Sequence, residues 1–204
     1  MFRAGDRRTH HHRVGTGQAS GPHLGKRAVA PLGENRLAER DGLAHQVEIV
    51  YGDATALPFP AGSFNVAWTQ HAAMNIADKA GLYRSLRRAV KPGGRLALFD
   101  VVGGTTGPLH FPVPWAEDPA LNFLEPAETI RALVEQAGFG VTLWEDLTEQ
   151  AITFFTAAAA AMAAPQGPLG IHILVKDIPA KFGNLARNLQ ENRARVIRCV
   201  AVAT

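Results

Sequence analysis

Long hydrophobic runs are missing from this 204-residue chain, and so is the charged-then-apolar opening of a secretory leader. Without about 18 consecutive apolar residues a helix does not span a bilayer. Neither a membrane partner nor export is therefore expected, and the expectation is a soluble, cytoplasmic protein. Cysteine is reduced to Cys199. A lone cysteine closes no intrachain disulfide, and the apolar setting VIRCVAVAT marks it as a small core residue rather than a nucleophile. Excess charge is also missing from most of the chain. The formal net charge is +3, yet residues 1–33 hold six Lys/Arg against one Asp while the remainder holds 15 against 17. The body is not basic and shows no basic stripe interleaved with aromatics, so nucleic acid is not an expected partner.

With 47% hydrophobic residues the chain can bury the core of one domain. Residues 1–33 have no apolar period of 2 or 3.6 and are expected to be a disordered, atypical segment ahead of a domain over 34–204. The tract His10, His11, His12 reads as solvated tail, since adjacent histidines define no coordination geometry, and no metal site is expected. GTGQASG, at Gly15–Gly21, echoes a dinucleotide loop. Such a loop must leave an apolar strand and open a helix, and HHHRV does not read as that strand.

From Glu34 onward the pattern changes. ENRLAERDGL reads as the end of a helix. Short β-rich runs follow at Val47–Tyr51, ending in Gly52 and Asp53, and at Phe64–Gln70. Asp78 is a cap for a helix with Leu82, Leu86 and Val90 along one face, stopped by KPGG, and its Arg84, Arg87, Arg88 and Lys91 read as a solvated face. RLALFDVV, Arg95–Val102, is apolar enough to be buried on both sides of a sheet. Strand, helix, strand at this spacing is a βαβ unit, and the fold class is α/β. A Pro- and Gly-rich loop after Gly104 is long enough to suggest a function. Pro126 opens a helix with Ile130, Leu133, Val134 and Ala137 inward and Gly138 closing it. VTLWED is the next strand, AITFFTAAAAAMAA is a helix ending at PQGP, and a helix near Pro179–Glu191 precedes a C-terminal apolar strand.

In an open α/β sheet, ligands lie beyond the carboxyl ends of the strands. Asp53 and Ala54 follow one strand, Gln70 and His71 the next, and Asp100 lies within the third. The segments GDATALPFPAGSFNVAW, TQHAAMNIADK and LRRAVKPGGRLALFDVV, in this order and spacing, resemble class I S-adenosylmethionine-dependent methyltransferases. The resemblance runs from about Asn35 to the C-terminus and is closest to the small-molecule group that includes sarcosine and dimethylglycine N-methyltransferases. It implies a Rossmann-like, mostly parallel sheet that lacks its first two strands, S-adenosylmethionine as cofactor, and a small-molecule methyl acceptor, with nitrogen as the expected target. The oligomeric state is left open.

Carried onto this sequence, the resemblance implies that the Asp53 carboxylate accepts from the adenine amine while the Ala54 amide meets the ring. The alternative makes Asp53 a turn residue. Leu57 and Phe59 then line the cofactor or simply pack. Gln70 and His71 stand beside the methionine part of the cofactor and the acceptor. Methyl transfer from a sulfonium depends mainly on positioning, and a base is needed only for a protonated or poor nucleophile. His71 is the candidate base, a structural histidine being the alternative. Asn75 orients substrate and Met74 packs. His110 and Trp115, in the long loop, face substrate or form a lid, unless Trp115 pins that loop to the core.

The family's glycine-rich turn after the first strand, and the acid closing the second, find no match in the residues before Gly52. An alternative of another class follows: a truncated, non-catalytic methyltransferase-like protein acting at most as an interaction module, or a shifted reading frame or misassigned start before residue 34. A nicotinamide-dependent dehydrogenase would need the same glycine loop and shows no catalytic pattern of its own.

Overall fold

A computed structural model describes residues 11–14, 47–50, 52–162 and 177–204. GTGQASG, ENRLAERDGL and PQGP lie outside the described residues, as does His10.

Helix α1 (Lys79–Ala89) begins as its sequence predicts. Asp78 Oδ1 accepts from the Gly81 amide at 2.7 Å, the usual N-cap bond. A Cβ on residue 81 would sit 2.1 Å from Asp78 Oδ2, so this tight first turn closes only around glycine. Leu82, Leu86 and Val90 are buried. The helix connects strands β3 (Phe64–Gln70) and β4 (Val90–Gly103), which pair in parallel. KPGG belongs to β4: the partner register steps from Phe64–Val90 to Val66–Arg95, so these residues bulge out of the ladder.

Helix α2 (Ala127–Gln136) starts after Pro126 and buries Ile130 and Val134, with Leu133 and Ala137 partly buried beside them. Gly138, at φ 97°, ends it. Then come β5 (Phe139–Asp146), α3 (Thr148–Met162), α4 (Ile178–Gln190) and β6 (Ala194–Ala203).

The main sheet has the order β3-β4-β6-β5. Its α/β, Rossmann-like character agrees with the sequence, but the expectation of mostly parallel pairing does not hold. β6 runs antiparallel to both β4 and β5, leaving β3–β4 as the one parallel ladder of this sheet. β3, β4 and β5 still point the same way, because β6 returns from α4 and slots between the last two.

A second correction concerns HHHRV. Strand β1 (His11–Val14) pairs in parallel with β2 (Val47–Val50), in register His11–Val47 to Val14–Val50. Backbone hydrogen bonding made a strand where side-chain pattern gave no sign of one.

β4 is covered on both faces, as its apolar run predicts. Leu96 and Leu98 pack with Leu82, Tyr83, Leu86, Ile130, Val134 and Cys199 under α1 and α2. On the opposite face Val101 packs with Met74, Val113, Trp115, Leu185 and Leu189. Cys199 is fully buried, and burial pushes its thiol up to about 11, consistent with a core role.

Candidate functional site

The connector after β2 is fastened to α1. Asp53, exposed, closes an Asx turn: its Oδ1 accepts from both the amide and the hydroxyl of Thr55 at 2.8 Å. Ala54 and Leu57 are buried in the α1-side core. The Leu57 amide donates to Ser85 Oγ at 2.8 Å. Arg88 donates to the carbonyl of Phe59 at 2.6 Å and to that of Leu57. Arg87 donates to Gly138 O at 3.0 Å and to Thr204 O. The expectation of a solvated arginine face fails for Arg87, which is half-buried, whereas Arg88 is exposed as expected and bonds the connector as well. The last-turn guanidiniums reach carbonyls of the 53–60 connector and of the β5 and β6 ends.

Gln70, half-buried, closes β3 opposite Phe99. His71 follows in the left-handed region, at φ 49°, a conformation unfavourable for a residue with a Cβ. Its amide donates to Phe99 O at 2.9 Å, and its ring stands edge-on to the Phe99 ring, centroids 4.9 Å apart. The residue is exposed at the sheet end, yet the protein around the ring desolvates it enough to lower its pKa from the ordinary 6.5. Ala73–Asn75 forms a short 3₁₀ turn, with Met74 buried and Asn75 exposed.

That turn is held from beneath. Asp100, 1% exposed, accepts the Ala72 amide on Oδ1 at 2.9 Å. Burial raises its carboxyl to about 7, against the lowering effect of the Ala72 and Ala73 amides and of Lys79. Lys79 Nζ donates to the carbonyls of Ala73 (2.9 Å) and Ile76 (2.7 Å). Burial lowers its pKa, opposed by the charges of Glu125 and Asp100. Asp100 stood out in the sequence, but Lys79 did not. A signal was present: a lysine at the first position of a helix opposes the macrodipole and needs another reason to be there.

The long loop after Gly104 is strapped along α4. Asn188 and His110 are joined through the His110 backbone, and His110 Nε2 meets Glu191 Oε2 at 2.8 Å. Arg187 and Arg193 complete the ring around Glu191, whose carboxyl His110, then Arg187 and Arg193, lower to about 2. Trp115 is buried, donating from Nε1 to Asn122 Oδ1 at 3.0 Å, in the cluster that contains Met74. The structure thus gathers Gln70, His71 and Asn75 at the end of β3 and brings Trp115 to the far side of the same turn. Asp53, Ala54 and Leu57 lie along α1, and His110 lies at the C-terminal end of α4.

The methyltransferase domain family matches residues 26–98, opening inside the segment set apart as 1–33. A ubiquinone/menaquinone biosynthesis C-methyltransferase of Hahella chejuensis is 26% identical over 154 residues, covering 65% of this chain and 61% of that protein. The methyltransferase GfsG of Streptomyces halstedii is 32% identical over 113 residues, 54% of this chain and 41% of that protein. Among solved structures, the [4+2]-cyclase SpnF superposes with a TM-score of 0.61 at 25% identity, covering 82% of this chain and 60% of that one. A Galdieria sulphuraria protein, provisionally named a sarcosine dimethylglycine methyltransferase, superposes at 0.66 with 14% identity, covering 83% and 64%. The chain spans about three-fifths, or less, of the length of these relatives.

Proposed function

We propose that the chain is, over the part it spans, a class I methyltransferase that binds S-adenosylmethionine and directs its methyl group to a nitrogen of a small molecule. The observation that carries this reading is the His71 turn: an exposed imidazole whose pKa is lowered, at a strand's carboxyl end, in a segment that also holds Gln70 and Asn75.

The donor set suits the cofactor. Asp53 offers a carboxylate at the end of β2, and a carboxylate accepts from an exocyclic amine. GTGQASG directly follows β1, a strand paired in parallel with β2, which meets one of the requirements for a cofactor loop, while the helix that such a loop must open lies outside the described residues. When bound, the cofactor supplies a methyl group activated on a sulfonium. Everything else falls to the protein. The Gln70 and Asn75 side-chain amides orient the acceptor by hydrogen bonds. His71 takes the proton that an ammonium acceptor must lose to expose its lone pair, and its lowered pKa keeps the imidazole free to do so. Positioning supplies most of the barrier reduction.

Titration calorimetry of the full chain with S-adenosylmethionine, followed by radiolabelled methyl transfer to a panel of amines, phenols and carbon acids, tests this. Several relatives are named for carbon methylation, and one fold neighbour for cyclisation, because a shared fold does not fix the chemistry. Transfer to amines supports the proposal. Transfer confined to carbon or oxygen overturns the nitrogen assignment, and binding without any transfer overturns methylation. Absence of binding leaves the non-catalytic interaction module.

A further inference from the structure

We propose that Asp100 and Lys79 act as one positioning device, gripping the turn at residues 72–76 by one amide and two carbonyls and so fixing the His71 and Asn75 side chains at the sheet end. The inference rests on the methyl-transfer reading for its functional meaning, while the device itself rests on geometry alone.

Three facts carry it. First, the two side chains take complementary halves of the same short backbone. Asp100 Oδ1 accepts the amide of Ala72, and Lys79 donates to the carbonyls of Ala73 and Ile76. Phe123 N adds a bond to Met74 O at 3.2 Å, and His71 N one to Phe99 O. Second, the grip is built in the interior. Asp100 and Lys79 are both buried, and burying an acid and a lysine costs more than burying apolar residues of the same size. An apolar pair would fill the space but could not pair with a turn's N–H and C=O groups. Third, the residue next to the grip, His71, holds a left-handed backbone conformation. A residue with a Cβ stays there only when its surroundings over-determine it, and such residues gather at functional sites.

The groups facing Asp100 are Lys79 and Tyr83 from α1, one turn apart, and Cys199 of β6 lies close to Tyr83. Glu125 acts on Lys79 from the connector before α2. Thr69 Oγ1, Tyr83 OH and Asp100 Oδ2 have no hydrogen-bond partner among the described residues. The Asp100 carboxylate therefore spends the one oxygen that is paired on the turn.

The test is NMR titration of the His71 ring in the full chain, compared among wild type, Asp100→Ala, Asp100→Asn and Lys79→Met. Asp100→Asn keeps an oxygen for the Ala72 amide and should leave the His71 signals in place. Asp100→Ala and Lys79→Met should move them and carry the His71 pKa toward 6.5, while signals of β5 and α2 stay fixed. Turnover should fall about ten- to hundredfold in both variants with a smaller change in KM, the scale set by small misplacements of reacting groups. If Asp100→Ala does not fold, Lys79→Met alone decides. Unmoved His71 signals in a folded variant overturn the proposal, as do shifts spread evenly through β5 and α2. His71→Ala, assayed alongside, separates the two readings: unchanged turnover there removes His71 from the chemistry, whereas the ring titration still decides whether Asp100 and Lys79 position it.

Discussion

Asn188 and His110 exchange two hydrogen bonds: the His110 amide donates to Asn188 Oδ1 at 2.8 Å, and Asn188 Nδ2 donates to His110 O at 3.0 Å. Asn188 is fully buried on α4. Its side chain thus stands in for a strand partner and seats the loop on the helix. Asn188→Ala leaves a half-buried amide and carbonyl unpaired and should cost about 1–3 kcal/mol, read as a lower midpoint in urea. A change within about 0.5 kcal/mol, the scatter of neutral surface substitutions, would show that Arg193, donating to Pro108 O at 2.6 Å, and Asn192, donating to Thr105 Oγ1 at 2.8 Å, hold the loop by themselves.

Asp53→Ala should weaken binding of S-adenosylmethionine by about 1–3 kcal/mol, the range for a lost partner of a polar ligand group. Calorimetry is the measurement. The Asx bonds to Thr55 make a loss of local order the competing outcome. Intact affinity would assign Asp53 to the turn alone.

His71 predicts a pH profile. The base must be neutral to take a proton, so kcat/KM should rise with pH as the imidazole loses its proton and level off above its pKa. Burial places that pKa below 6.5, so the rising limb should lie below pH 6.5. His71→Ala should abolish the limb and reduce turnover more than cofactor affinity. A limb that persists in the variant belongs to another group.

Glu191 predicts how stability responds to acid. Its folded pKa is depressed from 4.5 to about 2 by His110, Arg187 and Arg193. Its contribution is therefore complete above 4.5 and is lost as pH falls from there through about 2. Unfolding midpoints of Glu191→Gln should change less than those of wild type across that window. Parallel curves for the two proteins would place the acid sensitivity elsewhere.

Local pattern made much of this fold readable. The Asp78 cap, the Leu82–Leu86–Val90 face and the two-sided burial of β4 follow from spacing that each segment carries in itself. The position of β6 did not, because an apolar strand pairs either way and its neighbours lie far off in sequence. The backbone bonds of Arg87 and Arg88 were not legible for a similar reason. A helix face of arginines looks the same whether it meets water or, as here, carbonyls of residues 57, 59, 138 and 204. β1 escaped notice because His-His-Arg-Val has no β pattern to see. At the site, His71 was legible by its place after a strand, whereas the Lys79 grip exists only once the turn has folded over it.

The central place of β6 sets an order on synthesis. A ribosome emits β3, α1, β4, α2 and β5 well before residues 194–203, and until those ten residues emerge β4 and β5 each present an unfilled edge. Such edges recruit any extended chain nearby, including the same segment of another nascent copy. Yield in the cell should therefore depend on how quickly the last strand is delivered.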